Sequence, residues 1–265
     1  MPNSHRTSLL GNSGFLRRLG ELSVTSDLVW LVALSVGVSF TLIAAYLFPF
    51  SSSGKFWAYA GLFIRASLYL WSGENLKGRG GETLAGLFKL GIVAGIFELL
   101  VDWGLIHWVS NGRLVYLTEN DIVLLGSPVW MPLAWACVIV ELGYPALRLF
   151  GVFKVRMTMR WAAVTSSLLI ASAAAVTVGF YEYFAYIANW WKYERANVMI
   201  GDFCAVYIVL GEFFMFLLIL PIAAGALAQD DRPLGCSIVG GARFAGAIAM
   251  GYALAYLLLE AGRTP

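Results

Sequence analysis

The chain has 265 residues, of which 60% are hydrophobic and 13% charged, and its formal net charge is +2. Soluble domains carry about 25% charged residues, so this composition is typical of a membrane protein. So small a net charge, without a basic run interleaved with aromatic residues, indicates no nucleic-acid partner. The widely separated Cys137, Cys204 and Cys236 and the two histidines, His5 and His107, exclude a disulfide framework, a CxxC site, a histidine box and an HExxH site. We expect neither a metal nor a cofactor.

Residues 1–27 are polar and mildly basic, lack the short apolar core of a signal peptide, and are predicted to form a cytoplasmic N-terminal segment. Apolar blocks follow, each of about 20 residues, which is the length of a helix that crosses a membrane. They predict an all-α polytopic membrane protein with about seven transmembrane helices in one domain, residues 28–259, and a tail at 260–265. The predicted spans are 28–49, 56–72, 83–106, 122–146, 161–188, 203–226 and 237–259. The second is the weakest, because Arg65 lies at its middle.

Basic residues in the predicted connectors set the orientation, because cytoplasmic loops carry an excess of lysine and arginine. Ten fall on one side (Arg6, Arg17, Arg18, Lys77, Arg79, Arg148, Lys154, Arg156, Arg160 and Arg232) and five on the other (Lys55, Arg113, Lys192, Arg195 and Arg263). We therefore predict a cytoplasmic N-terminus and an external C-terminus, in a bacterial inner membrane.

An internal repeat relates the middle of the chain to its second half. The eight residues 128–135 match residues 205–212 without a gap, and the same offset places Tyr116 on Tyr193. Phe97-Glu98 matches Tyr181-Glu182 once seven loop residues are allowed for. Spans 3–4 and 5–6 are therefore predicted to be parallel repeats of one helical hairpin, related by an axis near the membrane normal.

Four acidic residues within the spans have no evident structural role: Glu98, Asp102, Glu182 and Glu212. An ionisable group at such depth costs about 2.5 kcal/mol or more, so each is a functional candidate. All four fall at a similar level in the outer half of the membrane, and Arg65 is expected to pair with one of them. Glu141 is expected instead to pair with Arg148 at the cytoplasmic interface.

Aromatic residues surround this predicted acidic cluster. Those expected to line a substrate pocket, together with Arg65, are Trp130, Trp135, Trp191, Tyr193 and Tyr207. A carboxyl group buried among apolar side chains tends to keep its proton and can donate it to a poor base such as an alkene. Aromatic faces stabilise the resulting carbocation, and a second acid can take a proton back.

Two stretches of the repeat resemble known families. Trp191-Lys-Tyr193 followed by Gly211-Glu212-Phe213-Phe214 resembles membrane lycopene cyclases of the heterodimeric type, which carry W-x-Y and then P-x-E-E-x-x-F-F. The first copy, residues 126–135, is similar to carotenoid hydratases of the bacterioruberin pathway, and fungal membrane-bound meroterpenoid cyclases share the seven spans and two intramembrane acids. The resemblance covers residues 95–220 and implies an isoprenoid substrate. Only Glu212 matches an acid of the motif, because Gly211 and Trp135 stand where acids are expected.

The leading hypothesis is an integral-membrane enzyme for acid–base chemistry on an isoprenoid lipid such as a carotenoid or terpenoid. Glu212 would be the proton donor, and Glu98, Asp102 and Glu182 the partner bases or cation stabilisers. A proton- or cation-coupled transporter or channel is the main alternative, since the same acids would serve it. A further alternative is a subunit of a larger membrane complex. The expected partners are therefore membrane lipids and either a partner subunit or further copies of this chain in a homo-oligomer.

Overall fold

The computed structural model describes residues 22–51, 53–117, 121–228 and 233–261. Its helices are α1 (Val24–Leu47), α2 (Ser53–Asn75), α3 (Arg79–His107), α4 (Met131–Phe153), α5 (Met159–Ile187), α6 (Val206–Phe216), α7 (Ile219–Leu227) and α8 (Pro233–Leu259). Its short strands are β1 (Arg113–Tyr116), β2 (Val123–Leu124), β3 (Ser127–Pro128), β4 (Trp191–Glu194), β5 (Met199–Ile200) and β6 (Cys204–Ala205). The 1–21 part of the predicted N-terminal segment lies outside the described residues, as do tail residues 262–265.

The chain is an all-α polytopic membrane protein, as its composition predicts. Five helices, α1, α3, α4, α5 and α8, are long and apolar enough to cross a membrane, and α6 with α7 would make a sixth span bent by 42°. Each of the seven predicted spans coincides with a helix or with this bent pair. Helix α2 is 23 residues long but is not apolar enough to be counted with these helices, and it carries Arg65 at its centre.

Two predicted spans differ from the structure, one in where it begins and one in its continuity. Span 4 does not begin at residue 122, because residues 123–128 form the β2–β3 hairpin and α4 starts only at Met131. The apolar run there was ambiguous between strand and helix, and Gly126, with φ of 89°, turns the chain. Span 6 is broken because Pro221, near the start of α7, has no N–H for the carbonyl of Leu217 four residues earlier.

The repeat is visible in the order of the elements. The order of a helix, a strand, a hairpin of two-residue strands and a second helix occurs twice, as α3-β1-β2-β3-α4 and as α5-β4-β5-β6-α6. The hairpins end at residues 127–128 and 204–205, which is the offset of the sequence match. The superposition of Glu98 on Glu182 and of Trp130 on Tyr207 stays a prediction.

Strands β1 and β4 join the two copies across their connectors. They pair antiparallel, with Val115 opposite Lys192, Leu114 opposite Tyr193 and Tyr116 opposite Trp191. Under the offset of the repeat, Val115 faces its own equivalent, and the flanking pairs exchange by a half-turn. A two-fold axis perpendicular to the strands produces this register, because it reverses the direction of a strand that it crosses.

Small residues bring the central helices into close contact. A Cβ atom on Gly91 would lie 2.5 Å from the Ala136 Cα atom, and one on Gly95 would lie 2.5 Å from the Pro132 Cα atom, so α3 packs directly on α4. Gly251 of α8 similarly lies against the backbone of α6, where a Cβ atom would be 2.7 Å from the Gly211 carbonyl oxygen. These contacts bring Glu98, Glu212 and Tyr252 of α8 to the interior.

A proline in α4 explains how α1 and α2 dock on the bundle. Pro145 cannot donate to the carbonyl of Glu141, and the Trp30 indole of α1 donates to that carbonyl instead, at 3.2 Å. The Glu141 carboxylate pairs with Arg65 of α2 at 2.6 Å, and the side chains are only 14% and 9% exposed, respectively. The predictions that Arg65 pairs with a cluster acid and Glu141 with Arg148 are therefore wrong. Arg148 forms its ion pair with Asp27 instead.

Candidate functional site

An internal cavity of about 90 Å³ lies between α3, α4, α5, α6 and α8, beneath strands β1 and β4. All four predicted acids, Glu98, Asp102, Glu182 and Glu212, line it. The rest of the lining is mainly aromatic and aliphatic: Leu105, Leu114, Tyr116, Trp130, Met131, Ala134, Trp135, Val138, Val178, Tyr181, Trp191, Tyr193, Ile208 and Tyr252. Within the described ranges, every acid of this cavity is at most 5% exposed.

Asp102 is held by two hydroxyl donors from the strand layer. Its Oδ2 atom accepts hydrogen bonds from the Tyr116 hydroxyl at 2.6 Å and from the Ser127 hydroxyl at 2.9 Å. Burial and the nearby Asp102 raise the pKa of the Tyr116 hydroxyl well above its usual value, so it remains a donor. Two donors on one oxygen favour the ionised carboxylate of Asp102.

Glu98 lies one helical turn before Asp102, and the two carboxyl groups interact directly. Two carboxyl groups form a hydrogen bond only if one of them carries a proton, because an ionised carboxylate is solely an acceptor. Asp102 already accepts two other hydrogen bonds, so Glu98 is the natural holder of that proton.

Each of the other two acids accepts an aromatic donor. The Trp191 indole donates to the Oε2 atom of Glu182 at 2.7 Å, and the Tyr252 hydroxyl donates to the Oε1 atom of Glu212 at 2.8 Å. Among the described residues, nothing donates to or accepts from the Oε2 atom of Glu212 or the Oε2 atom of Glu98, although both are buried. These two oxygens are free to act on a ligand.

Four of the predicted substrate-binding aromatics line the cavity: Trp130, Trp135, Trp191 and Tyr193. The ring centroids of Trp130 and Trp191 are 6.2 Å apart, and those of Tyr181 and Trp191 are 5.9 Å apart. Asp121 fixes the Trp130 ring by accepting its indole N–H at 3.1 Å.

Two predicted binding residues do not reach the cavity. Tyr207 is fully buried beside it and donates to the carbonyl of Gly112 at 2.7 Å, which ties α6 to the first connector. Arg65 borders a separate small space beyond the rings of Trp130 and Tyr181. Its pairing with Glu141 keeps the guanidinium away from the four acids.

Sequence reasoning missed Tyr252, Ser127 and Tyr181 as members of the site. Tyr181 lies next to Glu182 in the repeat match, but its uncharged side chain gives no sign in the sequence that it lines the cavity. Tyr252 follows Gly251 in α8, and the small-residue pattern there predicted close helix packing without indicating which side chain would meet Glu212. Ser127 lies in the β2–β3 hairpin, which falls within the predicted span 122–146.

Positions that the sequence match relates to each other line the same cavity. Glu98 and Glu182 are equivalent, as are Tyr116 and Tyr193, and Trp135 corresponds to Glu212; all six line the cavity. The space therefore lies at the interface of the two copies, where the pseudo-two-fold axis would pass. At the pair Trp135 and Glu212, the acid of one copy is an aromatic ring in the other, so the chemistry of the two walls differs there.

The charged residue types that line the cavity are all acidic. None of its lining residues is an arginine, lysine or histidine. In the part of the chain that the structure describes, no group of three or more His, Cys, Asp or Glu residues is arranged to hold a metal ion.

The family model described as domain of unknown function (DUF6989) matches residues 99–259. Neither a curated protein nor a solved structure matches the chain. The matched region runs from the second half of α3 to the end of α8. It contains Asp102, Glu182 and Glu212 and leaves α1 and α2 outside.

Proposed function

Since the chain belongs to the DUF6989 family, a domain family of unknown function, we propose from the geometry of the cavity that it is an intramembrane acid–base enzyme. Its substrate would be an unsaturated isoprenoid lipid, such as a carotenoid or a terpenoid, and its reaction a cyclisation, hydration or isomerisation. We place it in the bacterial inner membrane with a cytoplasmic N-terminus, as the basic residues indicate.

One observation carries this proposal: four buried acids converge on one apolar, aromatic cavity, and among the described residues two of them keep a carboxyl oxygen without a hydrogen-bond partner. A structural cluster would be expected to satisfy its buried oxygens internally. Glu98 and Glu212, whose Oε2 atoms have no partner among the described residues, instead line the space where a ligand would lie.

Glu212 is the proposed proton donor. Its proton moves from the carboxyl oxygen to one alkene carbon, which forms a C–H bond and leaves a carbocation and the Glu212 carboxylate. The rings of Trp135 and Trp191 and the carboxylates of Asp102 and Glu182 stabilise that charge. Loss of a proton from a neighbouring carbon to a carboxylate completes an isomerisation. In a cyclisation, a second alkene of the substrate first attacks the carbocation to form the ring C–C bond, and the new carbocation then loses a proton to a carboxylate. In a hydration, water adds to the carbocation, and a carboxylate accepts the proton that the resulting oxonium ion loses.

The size of the cavity limits what can react there. An engineered cavity of about 150 Å³ accommodates benzene, so a space of about 90 Å³ takes a smaller group. A branched chain end of a few carbons fits this limit, with the remainder of the lipid outside the cavity.

The experiment is expression of the full-length protein in cells that accumulate a linear polyene, followed by analysis of the extracted lipids. A new product is expected, and Glu212→Gln should reduce it about 100-fold or more, since a general acid contributes at least that factor. Glu194→Gln, which alters an exposed acid on β4, is the matched control and should leave the product unchanged. Undiminished product from Glu212→Gln at equal protein level would contradict the proposal.

A second candidate function has its own observation. The bend between α6 and α7 follows Glu212 by about one helical turn, and broken helices beside buried acids are typical of ion-coupled transporters. Proton uptake into liposomes that contain the purified protein would favour this candidate, particularly if Glu212→Gln abolished the uptake and no lipid product were found.

A further inference from the structure

We infer that the acid cavity binds a small organic cation, a tertiary or quaternary ammonium group on an apolar stem. The inference rests on the proposed function in that the cavity is the same, but it concerns binding of a stable ion and not a reaction. Ligand binding and turnover are measured separately, so the failure of one is distinguishable from the failure of the other.

The first argument is charge. Four carboxyl groups line the cavity, and none of its lining residues is basic. The nearby intramembrane cation, Arg65, is engaged by Glu141 at 2.6 Å on the far side of Trp130 and Tyr181. Buried acids without a counter-charge are costly unless they are protonated or paired with a positive ligand. In the absence of a ligand the protons of Glu98 and Glu212 limit this cost, and a bound cation would replace them as the counter-charge.

The second argument is the pair of unpartnered oxygens. Glu98 is 1% exposed and Glu212 is 4% exposed, and within the described residues the Oε2 atom of each has no hydrogen-bond partner. The other two acids are already held, Asp102 by Tyr116 and Ser127 and Glu182 by Trp191. Asp102 and Glu182 are therefore held in place, whereas Glu98 and Glu212 each keep one oxygen that could bind a ligand.

The third argument is the kind of cation. Aromatic faces attract weakly hydrated ions such as quaternary ammonium groups, which is the chemistry of aromatic cages. Trp130, Trp135, Trp191 and Tyr193 provide such faces, and Trp191 lies within 6.2 Å of Trp130, centroid to centroid. In the described ranges no set of acids is arranged as a metal site. These features favour an alkylammonium ion over a metal ion.

The test uses the purified full-length protein in lipid nanodiscs and follows its tryptophan fluorescence during titration. The probes are choline and 3,3-dimethylbutan-1-ol, which differ only in the exchange of the positive nitrogen for carbon. Choline is expected to bind about tenfold or more tightly than the alcohol, the ratio that a cation–π and ion-pair contribution gives. Equal affinities would overturn the inference, and so would an equal fluorescence response to sodium chloride alone.

Variants locate the binding site. Trp135→Leu should weaken choline binding several-fold, whereas Trp135→Phe, which keeps a ring, should restore most of it. Glu98→Gln should also weaken it, and Glu194→Gln on β4 should not. Thermal unfolding of each variant excludes misfolding, and Glu98→Gln keeps the inference testable if Trp135→Leu does not fold. Unchanged choline affinity in both Trp135→Leu and Glu98→Gln would refute it.

Discussion

The four acids of the cavity differ in what holds them. Asp102 accepts two hydroxyl donors on one oxygen, whereas Glu212 accepts only the Tyr252 hydroxyl and keeps its other oxygen free. Donors favour the ionised form of the group that they contact. Asp102 is therefore suited to stabilise charge, and Glu212 is suited to carry and deliver a proton.

Tyr252→Phe tests the position of Glu212. The change removes the donor of a buried hydrogen bond of 2.8 Å and strands the Oε1 atom of Glu212, so the free energy of unfolding should fall by about 1–3 kcal/mol. Any lipid-modifying activity should fall as well, because the carboxyl group loses its fixed orientation. Thermal unfolding in detergent measures the first effect. Tyr183→Phe, which alters a 38% exposed ring, should be neutral; equal stability of both variants would contradict the assignment.

At the scale of elements, one residue of α4 contacts both α1 and α2. Glu141 offers its backbone carbonyl to Trp30 of α1 and its carboxylate to Arg65 of α2. The carbonyl is available only because Pro145 lacks an N–H group. A proline within a span therefore frees the carbonyl that contacts α1, while the carboxylate of the same residue contacts α2.

Removing one partner of the Arg65–Glu141 pair should be severe. Arg65→Met leaves an uncompensated buried carboxylate, and the free energy of unfolding should fall by about 3–5 kcal/mol. The double variant Arg65→Met with Glu141→Leu removes both charges and should recover most of that loss. Denaturant unfolding in detergent measures both. A stable Arg65→Met protein would show that the pair does not hold the helices together.

The pairing of β1 with β4 joins the two copies of the repeat and can be tested by cross-linking. Val115→Cys with Lys192→Cys places two thiols on directly opposed residues, at a separation that suits a disulfide. We expect efficient cross-linking within one chain, detected by mass spectrometry after proteolysis. Val115→Cys with Glu194→Cys, two residues out of register, is the control and should cross-link poorly; the reverse order would disprove the register.

At the scale of the whole molecule, the strand layer and its cavity lie at one end of the bundle. The basic residues predict that this end is external, with Gly112 outside and Gly80 and Arg156 in the cytoplasm. Reporter fusions at these three positions measure the orientation. A cytoplasmic signal at Gly112 would reverse the predicted topology.

The helices and the level of the acids could be predicted from sequence because lipid permits few backbone solutions. In hydrocarbon an apolar block of about 20 residues must be helical, and the depth of each acid follows from its place in the block. The repeat offset between residues 128 and 205 likewise agrees with the register between β1 and β4. The β2–β3 hairpin was missed because its apolar residues have no period that separates strand from helix.

The sequence by itself therefore determined the membrane class, the approximate spans and the convergence of Glu98, Asp102, Glu182 and Glu212. Only the tertiary structure decided their partners: Tyr252 for Glu212, 40 residues away, and Glu141 rather than a cluster acid for Arg65, 76 residues away. The physical reason is that burial is a property of one helix face, which local periodicity encodes. A hydrogen bond or an ion pair depends on how two distant helices are rotated and set against each other, and no local pattern encodes that.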